Sequence, residues 1–184
     1  MSVKFTILGS GSSMGVPRAD GYYGNCNLNN KKNLRTRCSA LIKFNDQNIL
    51  IDTSPDLRSQ LLKNKVTSIE KVFYTHLHAD QTHGINDLRP FFLIRNKQIP
   101  VFADSKTLKY LKSTFNYCFK SNYGYPPTLN INKLKRKYTL KNKNQKIIIE
   151  AIPAEHGKIE SICYLINKKL AYASDISSFY KKDY

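Results

Sequence analysis

Histidine is scarce in this sequence, with 4 among 184 residues, and acidic residues are few, 13 against 30 lysines and arginines. The resulting formal charge of +17 argues against cationic partners and favours anionic ones such as phosphates, nucleic acid or acidic surfaces. A lysine- and asparagine-rich composition with no partner behind it is the alternative, because only Lys133-Leu134-Lys135-Arg136-Lys137 is dense in charge. No apolar run approaches the ~18–20 residues that span a bilayer. Met1-Ser2-Val3-Lys4-Phe5 enters a strand pattern directly and does not read as a signal peptide. The expectation is a soluble, cytoplasmic protein with no membrane association. No Cys-x-x-Cys pair occurs among Cys26, Cys38, Cys118 and Cys163, which points to reduced, mostly buried thiols and away from a disulfide framework. No internal repeat or low-complexity linker divides the chain, so residues 1–184 read as one domain.

Against that scarcity, three of the 4 histidines fall in one stretch, Tyr74-Thr75-His76-Leu77-His78-Ala79-Asp80-Gln81-Thr82-His83-Gly84. The apolar run Val72-Phe73-Tyr74 before it reads as a strand opening into a loop. Residues two apart on extended chain point the same way, so His76, His78 and Asp80 can converge on one point. Imidazoles and a carboxylate form a ligand set suited to zinc, manganese or iron. The plain alternative is a group of exposed polar residues at a strand end.

Around this stretch the pattern alternates strands with some helices. Val3 to Leu8 reads as a first strand, and Gly9 to Arg37 as a long glycine-bearing loop of a kind that often carries function. Cys38 to Phe44 and Asn48 to Ile51 read as a hairpin. Thr53 or Ser54 is expected to cap a helix starting at Pro55, with Leu57, Leu61 and Leu62 on one face. Ile69 to Tyr74 and Ile99 to Ala103 are strands. Ser105 is expected to cap a helix reaching about Phe119, with Leu108, Leu111, Phe115 and Cys118 in a core stripe. Asn122 to Lys146 gives little periodicity. Its aromatics and cations, from Tyr123 to Lys137, suit a nucleic acid or a plain solvated connection. Lys146 to Ile152 is a strand, and Ile162 to Ile166 with Leu170 to Ala173 is a second hairpin turning at Asn167-Lys168. This succession is α/β or α+β.

The histidine stretch resembles the His-x-His-x-Asp-His signature of the metallo-β-lactamase superfamily. Gly9-Ser10-Gly11-Ser12-Ser13-Met14-Gly15-Val16-Pro17, Ile49-Leu50-Ile51-Asp52-Thr53-Ser54-Pro55-Asp56, Glu155-His156-Gly157 and Ala173-Ser174-Asp175 are similar to the successive landmarks of that family, in the same order. The Gly-Ser turn with Val16-Pro17-Arg18 is most similar to the cyclic-phosphodiesterase branch, the phosphoribosyl cyclic phosphate hydrolases and their relatives. The signature's second-metal histidine is replaced by Gln81. The cysteine-rich structural zinc site of some relatives is not carried over, since the loop after the first strand offers only Cys26.

The resemblance implies an αββα sandwich and a metal-dependent hydrolase holding one or two divalent ions, zinc or manganese, with iron open. It places His76, His78 and His156 on a first metal, Asp80 as the catalytic carboxylate facing a second, and Asp175 bridging the two. Asp52 is expected beneath a ligand histidine, accepting its N–H. Gln81 is expected to weaken or alter the second-metal site, and His83 to be structural or substrate-facing more than a ligand. Arg18, Arg89 and Arg95 are the candidate phosphate clamps, Arg89 foremost. The implied reaction is phosphodiester hydrolysis on a small cyclic phosphate or nucleotide-like diester by metal-activated water. An RNA- or DNA-processing nuclease of the same superfamily and a non-catalytic metal-binding homologue are the alternatives. The absence of any histidine after His156 leads us to expect a C-terminally truncated sandwich. Its second sheet would then leave Ile162, Tyr164, Leu165, Leu170 and Tyr172 partly uncovered and prone to self-association into a homo-oligomer.

Overall fold

The computed structural model describes residues 3–121, 124–142 and 145–180. Tyr123, within the aromatic and cationic stretch, and the terminal Lys181-Lys182-Asp183-Tyr184 lie outside these. Strands β1 (Lys4–Gly9), β2 (Ser39–Phe44) and β3 (Gln47–Ile51) form an antiparallel meander. β4 (Lys71–Phe73), β5 (Ile99–Ala103) and β6 (Leu129–Lys133) extend it in parallel into one six-stranded sheet in sequence order. The second sheet has β8 (Gln145–His156) at its centre, with β9 (Ile159–Ile166) and then β10 (Leu170–Tyr172) on one side. β7 (Lys137–Asn142) and β11 (Ser178–Phe179) both pair with β8 as well, β7 along its first half and β11 near its end.

Strand alternation divides the apolar residues of the first sheet between two cores. Ala40, Ile42, Phe44, Ile49, Ile51 and Phe73 meet Ile147, Ile149, Ile162, Tyr164 and Ile166 of the second sheet. Leu41, Leu50, Val72, Val101 and Ala103 point the other way, against helices. Those helices are α1 (Leu57–Lys63), α3 (Arg89–Arg95), α4 (Ser105–Thr114) and α5 (Asn116–Phe119), and they contribute Leu57, Leu61, Phe91, Leu108, Leu111 and Cys118. The short α2 (Ala79–Thr82) carries the histidine motif. The two stacked sheets with helices outside the first are the α/β sandwich expected of the family. Among the described residues no helix covers the second sheet, and none is long and apolar enough to cross a membrane.

Several local readings need correction. Ile162 and Tyr164 are 3% and 0% exposed, because their register turns them into the inter-sheet core and not onto an open face. Leu165, Leu170 and Tyr172 are half-buried. Helix α1 begins at Leu57, because Asp56 is drawn out of the helix by Arg37, which donates from its backbone N and its guanidinium. Leu62 is 63% exposed, off the buried stripe of Leu57 and Leu61. Asp104, not Ser105, caps α4, accepting from the backbone N–H of Lys106 and Thr107, and Phe115 splits the expected single helix into α4 and α5. The unread segment before β8 contains β6 and β7.

Candidate metal centre

β4 ends at Phe73, and the chain passes through buried Tyr74 and Thr75 into the motif. Its course is fixed by main chain: Asp52 N–H donates to Phe73 O (2.9 Å), Thr53 N–H to Gln81 O (2.7 Å), and Gly84 N–H to Thr53 O (2.8 Å). A Cβ on Gly84 would stand 1.9 Å from Ser54 O, so only glycine lets these two loops touch. Asp52 holds φ of 61°, an uncommon left-handed conformation that aims its carboxylate at the motif.

His76, His78 and His156 converge, and one ring nitrogen of each lies within 4.8 Å of the others. His78 Nδ1 stands 3.1 Å from His76 Nε2 and 3.3 Å from His156 Nε2. Four ligands at about 2.0–2.1 Å in a tetrahedron are roughly 3.3 Å apart, so this spacing is that of imidazoles around one zinc-sized ion. The rings stand at 71–76° to one another, edge on, with their nitrogens turned inward. His156 is the last residue of β8, so the strand expected to precede it runs to the ligand itself.

His76 is fully buried, and burial together with the neighbouring His78 and His156 pushes its pKa down to about 3. It therefore stays neutral, as a metal ligand must. Its other nitrogen, Nδ1, faces Thr75 Oγ1 at 3.0 Å, and Thr75 Oγ1 donates to Asp52 Oδ2 at 2.9 Å. With the hydroxyl proton on Asp52, Nδ1–H donates to Thr75 and the Nε2 lone pair faces the centre. Asp52 was expected to accept the N–H of a ligand histidine directly; it acts instead through Thr75, whose backbone N–H it also accepts at 2.7 Å. Burial pushes the Asp52 carboxyl well above the usual range, and both Thr75 donors oppose that shift. Thr75 was missed in the sequence, although a hydroxyl residue directly before the first ligand was visible there. Thr75→Val is expected to weaken metal binding ~10–100-fold, the usual effect of removing an outer hydrogen bond. A competition titration against a chromophoric chelator measures it.

The same buried imidazole makes the metal-free fold sensitive to acid. Between pH 6.5 and about 3 the unfolded chain protonates His76 and the folded chain does not, so stability falls as pH falls. Asp52 works in the opposite sense, so the His76 contribution must be isolated by difference. Denaturant melts of wild type and His76→Gln, with chelator present, should move apart by up to ~1.4 kcal/mol per pH unit in the variant's favour as pH drops through that window.

Asp80 and Asp175 are both bonded to Gln81, whose Nε2 donates to Asp80 Oδ2 (3.1 Å) and Asp175 Oδ2 (2.9 Å). The other candidates stand elsewhere. His83 packs its ring against Phe115, 5.2 Å between centroids, with Nδ1 3.1 Å from Thr82 Oγ1, and is outside the triad. Arg18 is paired with Asp20 and lies over the Tyr22 ring, so the Gly-Ser loop spends that guanidinium on itself. Arg89 lies over Tyr125, 4.9 Å from the ring centroid, lining a cavity of about 350 Å³ with Asn86 and Tyr117. Arg95 bonds Glu70 and Ile69 O. None of the three guanidiniums makes a contact with the metal centre among the described residues.

Comparison with known proteins agrees with this geometry. The family model for the β-lactamase superfamily domain matches residues 47–182. A curated relative, the octanoyltransferase of Porphyromonas gingivalis, is 30% identical over 175 residues, which are 95% of this chain and 35% of that protein. The chain thus spans about a third of the length of that relative, whose name describes the larger whole. Among solved structures, a diphosphatase from the PhnP family superposes with a TM-score of 0.82 at 29% identity, over 100% of this chain and 68% of that one. Zinc-bound PqqB from Methylobacterium extorquens follows at 0.68 and 16% identity, over 97% of this chain and 67% of that one. The short form of human tRNase Z gives 0.65 and 17%, over 97% and 71%. The last two bear on fold alone. With the matched model covering most of the chain and the three histidines gathered at the edge of its two sheets, this protein belongs to the metallo-β-lactamase superfamily.

Proposed function

We propose that the chain is a metal-dependent phosphodiesterase acting on a small cyclic phosphate or nucleotide-like diester. The observation that carries the reading is the triad: three imidazoles whose ring nitrogens converge at the spacing of ligands around one ion. The likeness to a PhnP-family diphosphatase supports phosphorus chemistry, as does the charge of +17. A divalent zinc or manganese ion held by His76, His78 and His156 would supply Lewis acidity and bring the pKa of water toward ~7. The protein's own parts then have separate tasks. The Asp52–Thr75–His76 relay fixes a ligand tautomer. Asp80, half-exposed and with Oδ2 held by Gln81, would take a proton from the attacking water. The reading is tested by assaying the metal-loaded chain on cyclic and linear model phosphodiesters. Hydrolysis no greater than that of Asp80→Ala with either zinc or manganese sinks it.

One observation favours a nuclease as second reading. Lys106, Lys133, Lys135 and Arg136 line a groove of about 350 Å³ between α4 and β8, along with Asp104 and Glu160. Phosphate contacts by such cations give an affinity that falls steeply with salt. A single-stranded RNA that fails to bind even at low salt removes this reading.

A further inference from the structure

We propose that the Gln81 carboxamide occupies, by hydrogen bonding, the position a second metal ion takes in two-metal members of the fold, so that this chain binds one divalent ion, at His76, His78 and His156. The inference rests on the metal reading above and concerns the number of ions, not the substrate. Two carboxylates brought to one point repel each other unless something positive lies between them. In a two-metal site that is a cation. Here both Asp80 Oδ2 and Asp175 Oδ2 accept from the same nitrogen, Gln81 Nε2, at 3.1 and 2.9 Å. A primary amide has two N–H donors and no lone pair on nitrogen to give a metal, so in this orientation each donor meets one carboxylate and the nitrogen gives a cation no ligand.

The rest of the amide bears this out. Gln81 is fully buried, and its Oε1 has no hydrogen-bond partner among the described residues. Such an orphan is costly and therefore informative. Turning the amide over would set Oε1 against two carboxylate oxygens, three acceptors with no proton among them. The orientation found leaves one acceptor unsatisfied instead of three in conflict. The backbone offers no escape, since Gln81 O already accepts from Thr53 N–H at 2.7 Å and fixes the residue at the first turn of α2. An imidazole at this place would offer a lone pair; the amide offers a clamp. His83 does not substitute, because its ring is packed on Phe115.

The test is metal counting on the full chain, stripped with chelator and then titrated calorimetrically with zinc and, separately, manganese. The visible spectrum of the cobalt-loaded protein gives a second readout. One equivalent is expected for wild type. Two are expected for Gln81→His, which restores a nitrogen lone pair, and for Gln81→Glu, which replaces the NH2 group with an oxygen and covers the case in which the histidine variant does not fold. Two equivalents of comparable affinity in wild type overturn the proposal, whatever the variants do. One equivalent in wild type and in every folded variant overturns the role given to Gln81. No binding at all overturns the metal reading beneath it. Because no substrate is used, a failure to hydrolyse phosphodiesters would leave the metal count standing.

Discussion

His78→Ala is expected to abolish metal binding and to reduce hydrolysis to background, a loss of at least ~10³-fold, or ~4 kcal/mol of transition-state stabilisation. His78 is the middle member of the triad, with Nδ1 facing Nε2 of both His76 and His156. Removing it leaves two imidazoles, fewer than the three protein ligands of a catalytic zinc site. The side chain is exposed, so the fold loses little, and the metal-free variant should unfold within ~0.5 kcal/mol of metal-free wild type. His83→Ala, by contrast, should keep its metal. Calorimetric titration and a chelator-treated melt measure both halves. If His78→Ala still holds an ion with wild-type affinity, the triad is not the site.

Phe73→Ala should destabilise the fold by ~3–5 kcal/mol, the upper range for truncating a buried aromatic. Phe73 is fully buried at the end of β4, stacked on Phe102 at 4.9 Å and met edge-on by Tyr138 at 4.9 Å and Tyr164 at 5.6 Å. These rings tie both sheets together, and a void here is lined by rings from three other strands. Whole domains are stable by only ~5–15 kcal/mol, and for a chain of this size the melting temperature should fall by ~10 °C or more. β4 is 3 residues long and leads directly to the ligands, so metal affinity should fall as well. A urea melt showing less than ~1 kcal/mol would mean that the neighbouring rings collapse into the space.

The parts legible in the sequence are those governed by local periodicity. Ile99–Ala103 is readable to both of its ends, and so is the buried stripe of Leu108, Leu111, Phe115 and Cys118, because apolar spacing is a property of one segment. β6 and β7 are not. In β7 the alternation of Lys137, Thr139 and Lys141 with Tyr138 and Leu140 is present, but lysine on the solvent face looks like a solvated connection until the partner strand is known. The histidines are legible because strand spacing places His76 and His78 together. The bond from Gln81 to Asp175 spans 94 positions and depends on how the second sheet meets the first, which no local pattern encodes. The arginines show what residue type alone leaves open. Arg18 and Arg89 have the right chemistry for phosphate, but a guanidinium also takes a nearby carboxylate or ring: for Arg18 its sequence neighbours Asp20 and Tyr22, for Arg89 the distant Tyr125.

The motif loop is held to its neighbour through Thr53 N–H, Gly84 N–H and the absence of a side chain at Gly84, and not through the side chains at positions 80, 81 or 83. A frame made of main chain does not register what those side chains are. Exchange at position 81 therefore leaves these main-chain ties in place while it alters what the side chain offers the centre. Histidine and glutamine codons differ only in their third base, so one nucleotide separates an imidazole from an amide here. On the proposal above, that single change is what moves a lineage between two ions and one.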